Sequence, residues 1–118
     1  NNITELESQT FNQTSMLRNL DLSNNELERI HPGSFLGLSA LNNLNLKNNN
    51  LVKITCNSFV GLSNLRNLDL SNFNITSLES GAFNGLYNLE KLNLNENRIT
   101  ELQSYTFNQT MNLRTLNL

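Results

Sequence analysis

The stretch that decides the fold runs from Leu41 to Leu51 and reads Leu-Asn-Asn-Leu-Asn-Leu-Lys-Asn-Asn-Asn-Leu. Leucines occupy its first, fourth, sixth and eleventh positions, and Asn49 occupies the ninth. The same frame opens at Leu17, Leu65, Leu89 and Leu113, so the chain advances in units of 24 residues (41−17, 65−41, 89−65, 113−89). A fixed period of this size is the mark of a solenoid. Four full units are expected, at 17–40, 41–64, 65–88 and 89–112. The second part of a further unit precedes them at 1–16, and a truncated one follows at 113–118. No capping domain is expected within 1–118.

Each unit has two parts. The first, of the form Leu-x-x-Leu-x-Leu, ends in alternating apolar and polar residues, a strand signal. The second carries Leu or Ile at position 14, Phe at position 19 and usually Leu at position 22. Phe11, Phe35, Phe59, Phe83 and Phe107 fill position 19 throughout. Such recurrence suits a side chain that stacks on its equivalents. Gly37, Gly61 and Gly85 at position 21 give the backbone turn freedom. The few apolar side chains of one unit cannot offset the entropy of ordering 24 residues, so neighbouring units must complete one another.

With these residues in place, the chain resembles the leucine-rich repeat in its 24-residue form with a phenylalanine in the second half. Toll-like receptor ectodomains, Slit-like guidance proteins and small matrix proteoglycans carry this subtype. The resemblance covers the whole chain. It implies an α/β-type solenoid: an arc with a parallel β-sheet on the concave face and loops or short helical turns on the convex face. It also implies an extracellular or cell-surface location.

Composition narrows the function. Net charge is −2, with 15% charged residues and no basic patch, so no nucleic acid partner is expected. No run of roughly 20 apolar residues exists, so this segment does not itself insert into a membrane. Nor does the N-terminus read as a signal peptide. About a fifth of the residues are asparagine, phased with the leucines rather than scattered as low complexity. Cys56 is the single cysteine, which rules out a disulfide within the chain. It is expected to be a partly buried thiol, with an intermolecular disulfide as the other reading. The solitary His31 is expected at the surface.

Residues 3–22 and 99–118, four units apart, agree at 14 of 20 positions. Either a four-unit block was duplicated or biased composition produced the match. Together with a start on a half unit and a stop on Leu116 and Leu118, this reads as an internal segment of a longer array, or as a unit that stacks on copies of itself.

The asparagines at position 9 (Asn1, Asn25, Asn49 and Asn97) are expected inside the turn, bonding the backbone of adjacent units. Phe73 takes this place in the third full unit, either as an apolar plug or as a kink or partner anchor. Alternation along the strand turns the intervening polar residues to the concave face. The binding candidates there are Arg18, Asp21, Asn42, Asn45, Arg66, Asp69, Glu90, Asn93 and Arg114, in rows with no aromatic anchor. A solvated sheet face is the competing reading. Four Asn-x-Thr acceptors, Asn2, Asn12, Asn74 and Asn108, fall outside the strands, where N-linked glycans can be carried.

No catalytic, cofactor or metal site is expected. No His, Cys and Asp residues stand at metal-ligand spacing, and the one histidine has no triad context. Two functions remain. The first is an extracellular recognition or adhesion scaffold, part of a receptor-like ectodomain that binds a protein or glycan, with innate immunity a setting by analogy. The second is a structural glycoprotein whose arrays stack into an extracellular fibre or matrix filament.

Overall fold

A computed structural model describes all residues, 1–118. Ten short strands follow one another: β1 (Glu5–Leu6), β2 (Asn19–Asp21), β3 (Arg29–Ile30), β4 (Asn43–Asn45), β5 (Lys53–Ile54), β6 (Asn67–Asp69), β7 (Ser77–Leu78), β8 (Lys91–Asn93), β9 (Glu101–Leu102) and β10 (Thr115–Asn117). The even-numbered strands form one five-stranded parallel sheet in the order β10-β8-β6-β4-β2. Its register is set by the repeat, with Leu20, Leu44, Leu68, Leu92 and Leu116 side by side.

The odd-numbered strands lie in the second part of each unit and make two small parallel sheets, β1-β3 and β5-β7-β9, with a break between β3 and β5. Of the two possibilities for the outer side, loops or short helical turns, the structure takes the non-helical one. It consists of two-residue strands and turns, with no helix. Each outer strand is followed within two residues by a backbone reversal, too soon for helical hydrogen bonds to propagate.

One apolar core runs the length of the arc between the two layers. Leu41, Leu65 and Leu89, at the first position of their units, are fully buried, as are Leu38, Leu62 and Leu86 at position 22. The five phenylalanines stack in a continuous spine. Ring centroids lie 6.2, 5.9, 5.9 and 5.4 Å apart, and the ring planes lie within 12° of parallel. Those separations fall in the range where aromatic pairs add to simple area burial.

Position 9 behaves as its chemistry requires. Asn49 is 3% exposed, accepts the Leu27 N–H at 3.0 Å, and donates to the carbonyls of Leu46 (2.7 Å) and Leu22 (3.0 Å). Asn25 and Asn97 accept the N–H of Ile3 and Ile75 in the same way. Asn1 departs from the expectation: its backbone nitrogen, not its side chain, meets the Asn24 carbonyl at 3.4 Å. Phe73 is 2% exposed within the core, so it is the apolar plug and not a partner anchor.

Backbone reversal recurs at three positions of the unit. Position 21 holds Gly37, Gly61 and Gly85 at φ of 100°, 107° and 88°. A Cβ on Gly37 would meet the Phe11 carbonyl oxygen at 2.5 Å and the Asn12 Cα at 2.7 Å, whereas one on Gly85 would find its nearest atom at 3.4 Å. Gly37→Ala is therefore expected to cost at least about 1–3 kcal/mol, lowering the thermal midpoint by roughly 4–12 °C. Gly85→Ala should cost less, because only its φ is unfavourable. Thermal unfolding of both variants, followed by circular dichroism, checks the order; equal effects would show that the clash at Gly37 relaxes freely.

Candidate functional site

The concave sheet carries a groove of about 550 Å³ that crosses all five strands. The central row at position 3 lines its floor with Asn19, Asn43, Asn67, Lys91 and Thr115. Three of these amides form a ladder: Asn67 Nδ2 donates to Asn43 Oδ1, and Asn43 Nδ2 to Asn19 Oδ1, each at 2.6 Å. The ladder ends at Lys91, where an ammonium replaces the amide. Each amide in the ladder keeps at least one donor and one acceptor site for a ligand.

Of the nine binding candidates, Asp21, Asn45, Asp69 and Asn93 line this groove. Their side chains are partly spoken for. Each Oδ1 accepts the N–H two residues on, from Ser23, Lys47, Ser71 and Asn95 respectively, at 2.9–3.1 Å. These are Asx turns, which end the strands. The row thus serves the fold first.

Arg66, Glu90 and Arg114 gather at a separate cleft of about 180 Å³ on the flank of the sheet, with Asn88 and Asn112. Arg66 Nη1 lies 3.4 Å from Glu90 Oε1, so the row reads positive, negative, positive. Arg18 and Asn42 line neither cleft. The sequence-derived set therefore divides into a polar groove and a charged flank.

Two asparagine rows escaped the sequence reading. At position 8, Asn24, Asn48 and Asn72 take φ of 56°, 57° and 54°, and their amides link in a second ladder, Asn72 to Asn48 and Asn48 to Asn24. Asparagine tolerates this left-handed conformation better than most residues. At position 24, Asn64, Asn88 and Asn112 donate to the carbonyls of Ser39, Ser63 and Tyr87 at 2.7–2.8 Å. The signal was present in the sequence, since both rows recur at the 24-residue interval.

Outside the sheet, Cys56 is exposed and not the partly buried thiol expected. Position 16 lies on an outer turn beyond the phenylalanine spine, so the small side chain faces solvent. His31 Nε2 stands 3.4 Å from Glu5 Oε2 at the surface. The sequon asparagines Asn2, Asn12, Asn74 and Asn108 are all exposed. No three His, Cys, Asp or Glu side chains come close enough together to hold a metal ion.

Parallel repeats, a phenylalanine spine and buried turn asparagines define a leucine-rich-repeat protein. The chain belongs to the BspA-type leucine-rich repeat region family, which matches residues 1–118 in six copies. Comparison with curated protein sequences gives no significant match. Among solved structures, the chain is similar to the protein in the TLR13–ssRNA13 complex, with 32% identity and a TM-score of 0.87. That match covers 94% of this chain and 16% of the other. It is also similar to a protein in the Drosophila Toll–Spatzle complex, with 28% identity and a TM-score of 0.83, over 95% of this chain and 15% of the other. The chain thus spans about a sixth of the length of the proteins it matches.

Two carboxylates of the arc are held below their ordinary pKa. At Asp21 the main cause is the Ser23 hydroxyl, then the Ser23 N–H; at Glu79 it is hydrogen bonding from Lys53 (2.6 Å), then the Cys56 N–H. A carboxylate whose pKa is lower when folded stabilises the fold above its unfolded value, and that contribution is lost as pH falls through the folded value. The thermal midpoint is therefore expected to decline below about pH 4.5. Glu79→Gln should flatten the decline while lowering the plateau slightly at neutral pH. Thermal melts between pH 2 and 7 check this, and an unchanged slope in the variant would remove Glu79 from the account.

Proposed function

We propose that this chain is part of the ligand-binding ectodomain of a cell-surface or secreted receptor and engages its ligand along the concave groove. The observation that carries the reading is the continuous groove over five strands, in an arc that aligns with two receptor proteins over nearly its whole length. Curved solenoid surfaces of this kind serve as extended binding faces. Catalysis has no part in the reading: the groove presents an amide ladder, two carboxylates engaged in Asx turns, and Lys91.

A protein ligand suits the groove best. The amide ladder offers donors and acceptors to a polypeptide, and the alternating charges on the flank give register. One structural relative is in complex with single-stranded RNA. Here the groove sets Asp21 and Asp69 against Lys91, and the chain carries net charge −2, which disfavours a phosphate backbone. No helix of the structure is long and apolar enough to cross a membrane.

A sugar wedge tests the reading. Asn45→Thr turns Asn43-Leu44-Asn45 into an acceptor for an N-linked glycan on the groove floor, and threonine can keep the local turn. In the full-length secreted protein, ligand capture should be lost with the glycan and return on enzymatic deglycosylation. Capture unaffected by the wedge would move recognition off the groove. Filaments in electron micrographs, with no ligand captured, would favour the structural reading.

The exposed sequons support a second expectation. N-linked glycans at Asn2, Asn12, Asn74 and Asn108 leave the groove clear, since none of the four lines it. Intact mass of the secreted protein before and after deglycosylation checks this; no mass change would remove the glycoprotein reading.

A further inference from the structure

The sequons at Asn12 and Asn108 occupy the same place in their units, and their turns are built alike. Both read Phe-Asn-Gln-Thr, at 11–14 and 107–110. Both asparagines are exposed and close a reverse turn: the Asn12 N–H bonds the Gln9 carbonyl at 3.2 Å, and the Asn108 N–H bonds the Tyr105 carbonyl at 3.4 Å. Both threonine hydroxyls donate to a phenylalanine carbonyl, Thr14 to Phe11 at 2.8 Å and Thr110 to Phe107 at 2.9 Å. Three residues before the acceptor they differ, with Gln9 in one turn and Tyr105 in the other. Asn74 has Ser71 at that distance.

Tyr105 is an unusual occupant of its position. Position 17 takes a left-handed backbone throughout, at φ of 83° for Gly33, 76° for Gly81, 62° for Asn57, and 63° for both Gln9 and Tyr105. Glycine and asparagine suit that conformation, whereas a bulky side chain is strained in it. The strain secures no packing within the chain. Tyr105 is 74% exposed, and its ring joins none of the aromatic stacks. Side chains at this position face solvent even with a further unit stacked after them, as Gln9 and Asn57 show.

The turn sets this exposed ring beside the acceptor. Residues joined by a first-to-fourth turn bond have Cα atoms within about 7 Å of each other, so Tyr105 and Asn108 leave the surface side by side. A sugar carried by Asn108 begins one bond beyond Nδ2. One face of a pyranose ring is a row of polarised C–H bonds, the complement of the negative face of an aromatic ring.

We infer that Tyr105 is the platform on which the first sugar of an N-linked glycan at Asn108 rests, and that this glycan stabilises the fold. Attachment joins Nδ2 of Asn108 to C1 of N-acetylglucosamine; a lipid pyrophosphate donor is the leaving group, and one amide proton is released. The sugar then lies over the tyrosine ring and holds the turn in the shape that brings the two residues together. A glycan at Asn12 has Gln9 beside it and no such seat. The platform presupposes the glycosylated sequons proposed above, and it gives one of the four glycans a contact with the protein.

The test uses the full-length protein secreted from cultured eukaryotic cells, trimmed enzymatically to one N-acetylglucosamine per site, with occupancy read from glycopeptide masses. In NMR spectra the sugar protons at Asn108 should be shifted upfield by the tyrosine ring, and those at Asn12 should not. Tyr105→Gln, which the matched turn tolerates at the same φ, should abolish the shift, while Tyr105→Phe keeps it. Asn108→Gln should lower the thermal midpoint by roughly 2–4 °C in the parent protein and hardly at all in Tyr105→Gln. Asn12→Gln should leave the midpoint in place. An occupied Asn108 whose sugar is unshifted, or shifted equally in Tyr105→Gln, overturns the platform, leaves the glycoprotein reading standing and frees Tyr105 for a protein partner. An unoccupied Asn108 overturns the platform at the earlier step, and only a lack of sugar at all four sequons removes the glycoprotein reading with it.

Discussion

Each turn of this solenoid leaves backbone polar groups that it cannot satisfy alone, and the constraint that satisfies them is a strict 24-residue register with the next turn. The concave strands bond residue for residue across that interval. So does the buried Asn49, which joins the Leu27 N–H to two carbonyls on adjacent turns. An unpaired buried donor costs about 1–3 kcal/mol, so a unit of altered length would lose several such bonds at once. The phenylalanine spine depends on the same interval, because rings stack only when each unit returns its position 19 to the same place.

Register also shapes the recognition surface. Because each row of the concave face comes from one position of the repeat, neighbouring side chains are chemically alike and bond to one another before they meet a ligand. The Asn19–Asn43–Asn67 ladder is one result, while the Asx turns of Asp21, Asn45, Asp69 and Asn93 tie each side chain to its own backbone two residues on. A groove built this way is stiff, since its polar groups are anchored at one end. Stiffness of this kind lowers the entropic cost of binding.

Where a row departs from likeness, the surface gains character. Lys91 ends the amide ladder, Glu90 sits between Arg66 and Arg114, and the outer sheet is interrupted between β3 and β5. A regular array thus localises its distinctive chemistry at a few irregular positions. Phe73 shows the converse: it breaks the asparagine row yet disappears into the core, because a large apolar side chain gains more from burial than from the surface.

The sequence by itself determined the unit length, the five concave strands, the phenylalanine stack and the role of asparagines such as Asn49, because each follows from periodicity and the need to bury or pair what recurs. It also put the nine polar candidates on the concave side of the repeat. Only the tertiary structure decided which of them meet: Asp21, Asn45, Asp69 and Asn93 in the groove, Arg66, Glu90 and Arg114 on the flank. It alone separated the non-helical outer wall from short helical turns, exposed Cys56 and opened the gap between β3 and β5. Those outcomes rest on contacts between side chains 24 residues apart and on how sharply the outer turns bend. A repeat pattern records what recurs; how neighbours that depart from it settle against each other is fixed only when the turns are stacked.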